Sequence, residues 1–391
     1  MISSRNSKIP ESATVAIADL AASMREAGET VIDFSAGRAA EHSPDTINRA
    51  AISAMQSGRT HQTPARGLPE YLEAAAAKLR NVNGLNVDAR ENVIATLGCK
   101  QGLVLSLLSV LDAGDEVIID DPCFVSYGPT IQLFGGIPVV VPSRPGNRFC
   151  WSEDDLEAAV SDRTKAILLC SPNNPAGTVH TASDLQAIAT VAIRHDLTVI
   201  ADEIYEAVTW GGRRHQPIYA LDGMESRAIG LMGMTKTYSM GGWRIGYAYA
   251  SPKYIRAMTK VQQHLMTCAS SFGQIGAAKA LQPDVIASMR DLWNDWEARC
   301  RYVTDQLNGH HLLDVSMPEG GFYAWIDIRQ TGLDSTDFCT RLIEEHSVAA
   351  VPGRAFGENS DGYVRVTCVR SWDELREGVK RFRAFAETAI V

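Results

Sequence analysis

The chain has no window approaching the roughly 18 consecutive apolar residues needed to span a bilayer. Residues 1–10 are polar and lack the apolar centre of a signal peptide, so a cytoplasmic location is the expectation. The eight cysteines (99, 123, 150, 170, 268, 300, 339 and 368) are scattered, with no C-x-x-C pair. Disulfide scaffolding is a poor reading for 391 residues with a full apolar core; several cysteines, Cys170 among them, read as small buried hydrophobes. His195, His264 and the His310-His311 pair show no ligand spacing, so no metal is expected. Neither a Walker pattern nor G-x-G-x-x-G is present, which removes the usual nucleotide readings. Internal repeats and low-complexity stretches are also missing. Positive charge is in short supply: Lys+Arg total 37 against 46 Asp+Glu, a formal net charge of −9. That balance argues against broad binding of nucleic acid or anionic membrane. It leaves room for a small anionic ligand held by one or two local cations.

What is there is ordinary globular composition, 45% hydrophobic and 21% charged. The length favours one large and one smaller domain. Apolar runs fall at 92–97, 116–119, 138–141, 166–170, 198–201 and 228–232, with helical patterns such as 101–111, 153–160 and 183–195 between them. Strands that are almost wholly apolar are buried on both faces, which predicts an α/β domain with a mostly parallel sheet and flanking helices. From about residue 285 the pattern changes to a long helix-like segment (283–308), strand candidates within 321–327 and 362–368, and a closing helix (372–388), the look of a smaller α+β domain. A helix candidate at 14–27 has no sheet of its own and should pack there. The expected division is 1–44 and 283–391 for the two parts of the small domain and 45–282 for the large one.

Ligands in open α/β sheets gather beyond the carboxyl ends of the strands, and four polar clusters occupy that position. Gly98-Cys99-Lys100-Gln101-Gly102 is a glycine-framed turn into a helix, suited to a phosphate or simply a tight turn. Ser171-Pro172-Asn173-Asn174-Pro175-Ala176-Gly177 is a rigid turn able to aim an Asn amide into a pocket. Asp202-Glu203-Ile204-Tyr205 carries a carboxylate that either caps the next helix or pairs with a bound cation. Thr235-Lys236, with Gly241-Gly242-Trp243-Arg244 beyond it, offers an amine nucleophile or a solvated surface lysine, and an arginine that could share the phosphate. Together these parts describe one ligand. Pyridoxal 5'-phosphate needs a phosphate cup, an imine-forming lysine and an acid partner for its ring nitrogen.

On these motifs the chain resembles the fold-type I aminotransferases, most of all the bacterial aspartate aminotransferase branch. The likeness starts at Ser12-Ala13-Thr14-Val15-Ala16 and runs through 171–177, 202–205 and 235–247 to 364–367. The resemblance implies that Lys236 forms the Schiff base and shuttles a proton at the substrate Cα. It implies that Asp202 pairs with the pyridinium nitrogen and that Tyr205 and Asn174 hydrogen-bond the ring oxygen. Phe124, in Pro122-Cys123-Phe124-Val125-Ser126-Tyr127, takes the place of the stacking aromatic. Backbone groups of Cys99 and Lys100, with Arg244, would bind the phosphate. Arg365, with Asn174 and the Gly37 backbone, would grip the substrate α-carboxylate. Either the Lys100 side chain reaches a distal carboxylate, favouring aspartate or glutamate, or only its backbone matters. The expected partners are an amino acid, a 2-oxo acid and a second copy of the chain.

The chain departs from the family pattern in four places. Gly37-Arg38-Ala39-Ala40-Glu41 replaces Gly-Glu-Pro-Asp-Phe, placing a new cation, Arg38, in a loop that closes over substrate. Gln62 replaces a tyrosine that reaches the neighbouring subunit's phosphate, Gly233 replaces a serine, and Ala176 replaces the threonine of Asn-Pro-Thr-Gly. These changes leave transamination as the leading expectation. Carbon–sulfur β-elimination is the alternative with the same cofactor, and a ligand-sensing regulator the alternative from another class.

Overall fold

The structure is a computed structural model and describes residues 6–10 and 13–389, so Ser12 lies outside the described residues. The strands are β1 (Ile32–Asp33), β2 (Val93–Thr96), β3 (Glu116–Asp121), β4 (Ile137–Pro142), β5 (Thr164–Cys170), β6 (Thr198–Asp202), β7 (Ala228–Gly233) and β8 (Gly246–Ala250). They are followed by β9 (Asp314–Val315), β10 (Tyr323–Asp327), β11 (Val348–Ala349), β12 (Val351–Pro352) and β13 (Tyr363–Thr367). A seven-stranded sheet has the order β2-β8-β7-β6-β5-β3-β4. Within it β8 runs antiparallel to both neighbours, and the pairs from β7 across to β4 are parallel. Every residue of β3, β6 and β7 is buried, as expected for strands with helices on both faces. A second, antiparallel sheet has the order β12-β13-β10-β9, and β1 pairs with β11 in parallel.

The six expected strands of the large sheet are present; β8 was not anticipated. Its sequence, Gly-Tyr-Ala-Tyr-Ala, starts on a glycine and carries no β-branched residue, so it lacks the apolar run that marks the others. The segment 283–308 is two helices, Pro283–Ser288 and Arg290–Asn308. At Met289 the backbone N–H is shared between the carbonyls of Val285 and Ile286, and the regular ladder is interrupted. The helix expected from residue 101 begins at Cys99 instead, with Gly98 as its N-cap at φ 80°. The glycine-framed motif is therefore a helix start rather than a loop, and its first N–H groups have no acceptor within the helix.

Two cores flank the large sheet, one including Ile94, Leu105, Ile119 and Ile131 and the other Tyr71, Ile167, Val199 and Tyr247. Phe34 joins Trp296, Phe322, Phe338, Phe382 and Phe385 in a separate core around the small sheet. Tyr205, Val208 and Trp210, from the stretch after β6, belong to that small-sheet core. The helix Ala13–Glu26 lies against β1, β11 and β12.

Candidate active site

The carboxyl ends of β5, β6 and β7 open into a cavity of about 360 Å³. Its wall includes four cations, Lys100, Lys236, Arg244 and Arg365, and one carboxylate, Asp202. In a chain of net charge −9 this is a local inversion of sign.

Asp202 is the last residue of β6 and is buried. One of its oxygens accepts a hydrogen bond from the Tyr127 hydroxyl at 2.9 Å and the other accepts from the Ile204 N–H at 3.3 Å. Burial raises its pKa above the usual carboxylate value, and the Tyr127 hydroxyl opposes this only in part. Among the described residues no lysine or arginine forms an ion pair with it, so the site holds a carboxylate that a cationic ring would stabilise.

Lys236 sits in the short helix Met234–Thr237 that ends β7, and its ammonium donates to the Gly37 carbonyl. It lies 5.9 Å and 5.8 Å from the ring centres of Tyr205 and Phe322. The Tyr205 hydroxyl is 3.1 Å from that of Tyr323.

Arg365 lies in the middle of β13 and is 2% exposed. One terminal nitrogen donates to the Asn174 side-chain oxygen at 3.1 Å and the other to the Ser35 carbonyl at 2.8 Å. Its guanidinium carbon stacks 4.2 Å from the Tyr323 ring centre. Burial lowers its pKa, and its buried Nε has no hydrogen-bond partner. A cation taken out of water with an unused N–H is costly unless an anion completes it.

The turn after β5 is pinned from both sides. The Asn173 side chain accepts from the Ala176 N–H at 3.0 Å, and the Gly177 carbonyl accepts from the N–H groups of Glu319 and Gly320, each at 2.9 Å. Gly177 has φ 72°, and a Cβ there would meet Pro318 Cβ at 2.5 Å, so both its backbone and its packing require glycine.

Arg244 has left-handed backbone (φ 52°) and donates to the carbonyls of Gly241 at 3.0 Å and Leu97 at 3.3 Å. This aims its guanidinium at the helix start, where a Cβ on Gly98 would lie 3.2 Å from an arginine nitrogen. Lys100 is exposed at the cavity mouth, its ammonium 5.6 Å from the centre of the Phe124 ring. Burial of its stem, then Arg244 and Lys236, lower its pKa.

A family model, "Aminotransferase class I and II", matches residues 29–382. The chain belongs to this family. Among its relatives, an aspartate aminotransferase of Pyrococcus abyssi is 38% identical over 93% of this chain and 92% of that one. An "Aromatic-amino-acid aminotransferase 2" of Thermococcus litoralis is 37% identical over 90% of this chain and 91% of its own length. The solved aspartate aminotransferase of Thermus thermophilus with maleate has a TM-score of 0.93 at 32% identity, covering 98% of this chain and 99% of that one. This aminotransferase is thus an enzyme that moves an amino group between an amino acid and a 2-oxo acid, and its fold is that of the fold-type I group.

Gly37, Cys99, Lys100, Phe124, Asn174, Asp202, Tyr205, Lys236, Arg244 and Arg365 all line the aminotransferase's cavity. Arg38 does not, and it is exposed. Gln62 is exposed as well. Tyr127 and Tyr323 are the two cavity residues that sequence reasoning missed as functional. Tyr127 lies in a quoted motif but its aim at Asp202, 75 residues away, is a property of the fold. Tyr323 follows Gly320-Gly321-Phe322, the one available signal that the chain passes close to another backbone there.

Proposed function

We propose that the chain is a pyridoxal 5'-phosphate-dependent aminotransferase acting on dicarboxylic amino acids of the aspartate and glutamate type, by alternating half-reactions with a 2-oxo acid. The observation that carries this is the wall of four cations around a single buried carboxylate, with Lys236 at the end of β7 between them. The donor set suits the cofactor. The orphaned Nε of Arg365 awaits an anion, Asp202 awaits a cation, and the free N–H groups at the Cys99–Val110 helix start face Arg244 across Gly98. When bound, pyridoxal phosphate supplies the electron sink that makes a substrate Cα proton removable.

The protein's own residues do the rest. Backbone N–H groups of Cys99 and Lys100 and the Arg244 guanidinium would hold the phosphate, and Phe124 would be the aromatic beside the ring. Asp202, oriented by Tyr127, would be the acid partner that favours a protonated ring nitrogen. The Tyr205 hydroxyl would donate a hydrogen bond to the ring oxygen. Asn174 has its side-chain oxygen engaged by Arg365, which leaves its NH₂ as the donor toward the same oxygen. Arg365 binds the α-carboxylate as a fork, with the Gly37 backbone beside it. Lys236 takes the proton from Cα and returns it on the other side of the reaction. The Lys100 ammonium receives a distal carboxylate.

A cytoplasmic homodimer, with domains at 1–44 plus 283–391 and at 45–282, belongs to the same proposal. Ile52, Met55 and Phe272 are exposed around a depression that also contains Trp243, next to Arg244, which suits cover by a second copy. All eight cysteines are unpaired, which suits a reducing compartment. No helix of the described residues is long and apolar enough to cross a membrane.

The test is a half-reaction screen. The cofactor spectrum is followed against aspartate, glutamate, arginine and an aromatic amino acid, and borohydride is used to trap the cofactor on its lysine. Conversion to the amine form with no ammonia released, fastest with the acidic pair, is the expected result. Stoichiometric ammonia and pyruvate from a β-substituted donor would replace transamination with elimination.

A further inference from the structure

One terminal nitrogen of Arg365 is held by a side chain, Asn174, and the other by a backbone group, the Ser35 carbonyl at 2.8 Å. What aims that carbonyl lies two residues upstream. Asp33 ends β1 and is 4% exposed, yet it is not part of the cavity wall. One of its oxygens accepts from the Ser35 N–H at 2.9 Å, the Ser35 hydroxyl at 2.6 Å and the Ala36 N–H at 3.2 Å. The carboxylate thereby folds its own backbone into a turn. In a trans peptide the carbonyl and the following N–H point in opposite directions. Holding the Ala36 N–H toward β1 therefore turns the Ser35 carbonyl the other way, onto Arg365.

The rest of this strip is fixed with equal care. The Phe34 N–H donates to the Ala349 carbonyl at 2.8 Å, and the Phe34 carbonyl accepts from the Thr367 N–H at 2.9 Å. The second Asp33 oxygen is 3.5 Å from Arg370 Nη2, and the Asp33 carbonyl accepts from Arg370 Nε at 2.8 Å. At the far end Glu41 pairs with Arg299 at 2.7 Å and accepts from Trp296 Nε1 at 3.3 Å. Arg299 also donates to the Arg370 carbonyl at 2.8 Å, so both ends of the strip converge on residue 370. Over the cavity there is no slack. A Cβ on Gly37 would fall 2.5 Å from the hydroxyl of Tyr323, whose ring stacks on Arg365.

We propose that Asp33 is a positioning residue of the substrate site: by holding the Ala36 N–H it points the Ser35 carbonyl at Arg365 and so sets the fork that receives the α-carboxylate. The inference rests on the reading of Arg365 given above. Asp33 has two separable duties. Its charge serves Arg370, and its acceptor oxygen serves the turn. Asparagine keeps the acceptor and loses the charge, whereas alanine loses both. A residue with a merely structural role would lose stability in both variants and leave carboxylate binding alone.

The experiment uses the cofactor-loaded enzyme and reads succinate binding by calorimetry, KM and kcat for aspartate, and unfolding in denaturant. In Asp33→Ala the succinate Kd should rise about tenfold, the scale of one hydrogen bond made to a charged group. KM for aspartate should rise with it while kcat stays within about twofold, the mark of lost uniform binding. Asp33→Asn should unfold at lower denaturant, because Arg370 loses its countercharge. It should nevertheless bind succinate within about twofold of the unaltered chain, because the turn is kept. Unchanged succinate binding in Asp33→Ala overturns the proposal. Equal weakening in both variants also overturns it, since the charge and not the turn would then set the fork. If Asp33→Ala does not fold, Ser35→Ala, which strips only the hydroxyl from the turn, takes its place. Its succinate Kd should rise about threefold, the worth of one neutral hydrogen bond, and an unchanged Kd overturns the proposal. Absence of any succinate binding by the unaltered chain is a separate failure: it overturns the carboxylate-site reading beneath, and the proposal with it.

Discussion

Asp202 and Glu203 are adjacent residues at the end of one strand, and they sit in two opposite electrostatic worlds. Successive side chains of an extended segment point to opposite sides. On one side Glu203 is met by the Tyr249 hydroxyl at 2.6 Å and by His215 at 3.3 Å. Close by, Lys78 pairs with Glu206 at 2.6 Å, both side chains nearly inaccessible. On the other side Asp202 faces a cavity with four cations, and no other carboxylate lines it. The charges behind the sheet end are satisfied by the chain itself; those in front await completion from outside. Buried charge that is paired internally is architecture, and buried charge left unpaired is a binding site. The contrast explains how an acidic protein receives anionic ligands: the attraction is built at short range by Lys100, Lys236, Arg244 and Arg365 rather than by net charge.

The most severe way to break the front half of this contrast is Lys236→Ala. Transamination should fall at least about a thousandfold, the scale of losing a positioned acid–base group, with the circular dichroism spectrum unchanged. A variant with full activity would remove Lys236 from the chemistry. The back half should fail in the opposite sense. Lys78→Met leaves Glu206 buried without its cation and should cost about 3–5 kcal/mol of stability in denaturant unfolding. Adding Glu206→Leu to that variant should recover most of the loss, because both charges are then gone. If Lys78→Met unfolds at the same denaturant concentration as the unaltered chain, the pair is not the internal match described here.

The contrast also divides what was legible in the sequence from what was not. Six strands, most of the helices between them and the cavity residues of the four strand-end clusters follow from local patterns: apolar runs, turn residues and motifs such as Asp202-Glu203-Ile204-Tyr205. Gly37, Phe124 and Arg365, by contrast, come through the family resemblance alone. The Lys78–Glu206 pair and the Tyr127–Asp202 bond join residues 128 and 75 positions apart, and nothing local marks them. Tyr323 was hidden because an aromatic in an apolar strand reads as core, which by burial it is. β8 was hidden because two tyrosines and two alanines between a glycine and a serine give no apolar run. Arg38 illustrates the converse: a substitution conspicuous in the sequence at a residue that is exposed and forms no part of the cavity wall.

Arg365→Lys keeps a positive charge in β13 and removes the fork. The loss of one charge-assisted hydrogen bond to the substrate is worth about 2 kcal/mol, roughly thirtyfold in kcat/KM for every amino acid donor alike. Asn174 would lose its partner at 3.1 Å as well, so cofactor affinity, read by fluorescence, should weaken in parallel. Unchanged kcat/KM would mean that the α-carboxylate binds elsewhere.

Lys100 offers the smallest effect and the sharpest division. It is exposed, unlike Lys236 and Arg365, so its pairing with a ligand is screened by solvent. Lys100→Ala keeps the helix start and its backbone N–H groups while deleting the ammonium. If that ammonium receives a distal carboxylate, kcat/KM for aspartate and glutamate should fall by about 1 kcal/mol, roughly fivefold, and the value for an aromatic donor should hold or rise. Added salt should narrow the gap, since exposed pairs weaken as screening grows. If acidic and aromatic donors decline together, Lys100 acts through its backbone alone. The specificity for a second carboxylate must then come from Arg244 or from the helix Ala13–Glu26, whose Thr14, Val15 and Ala18 complete the cavity wall.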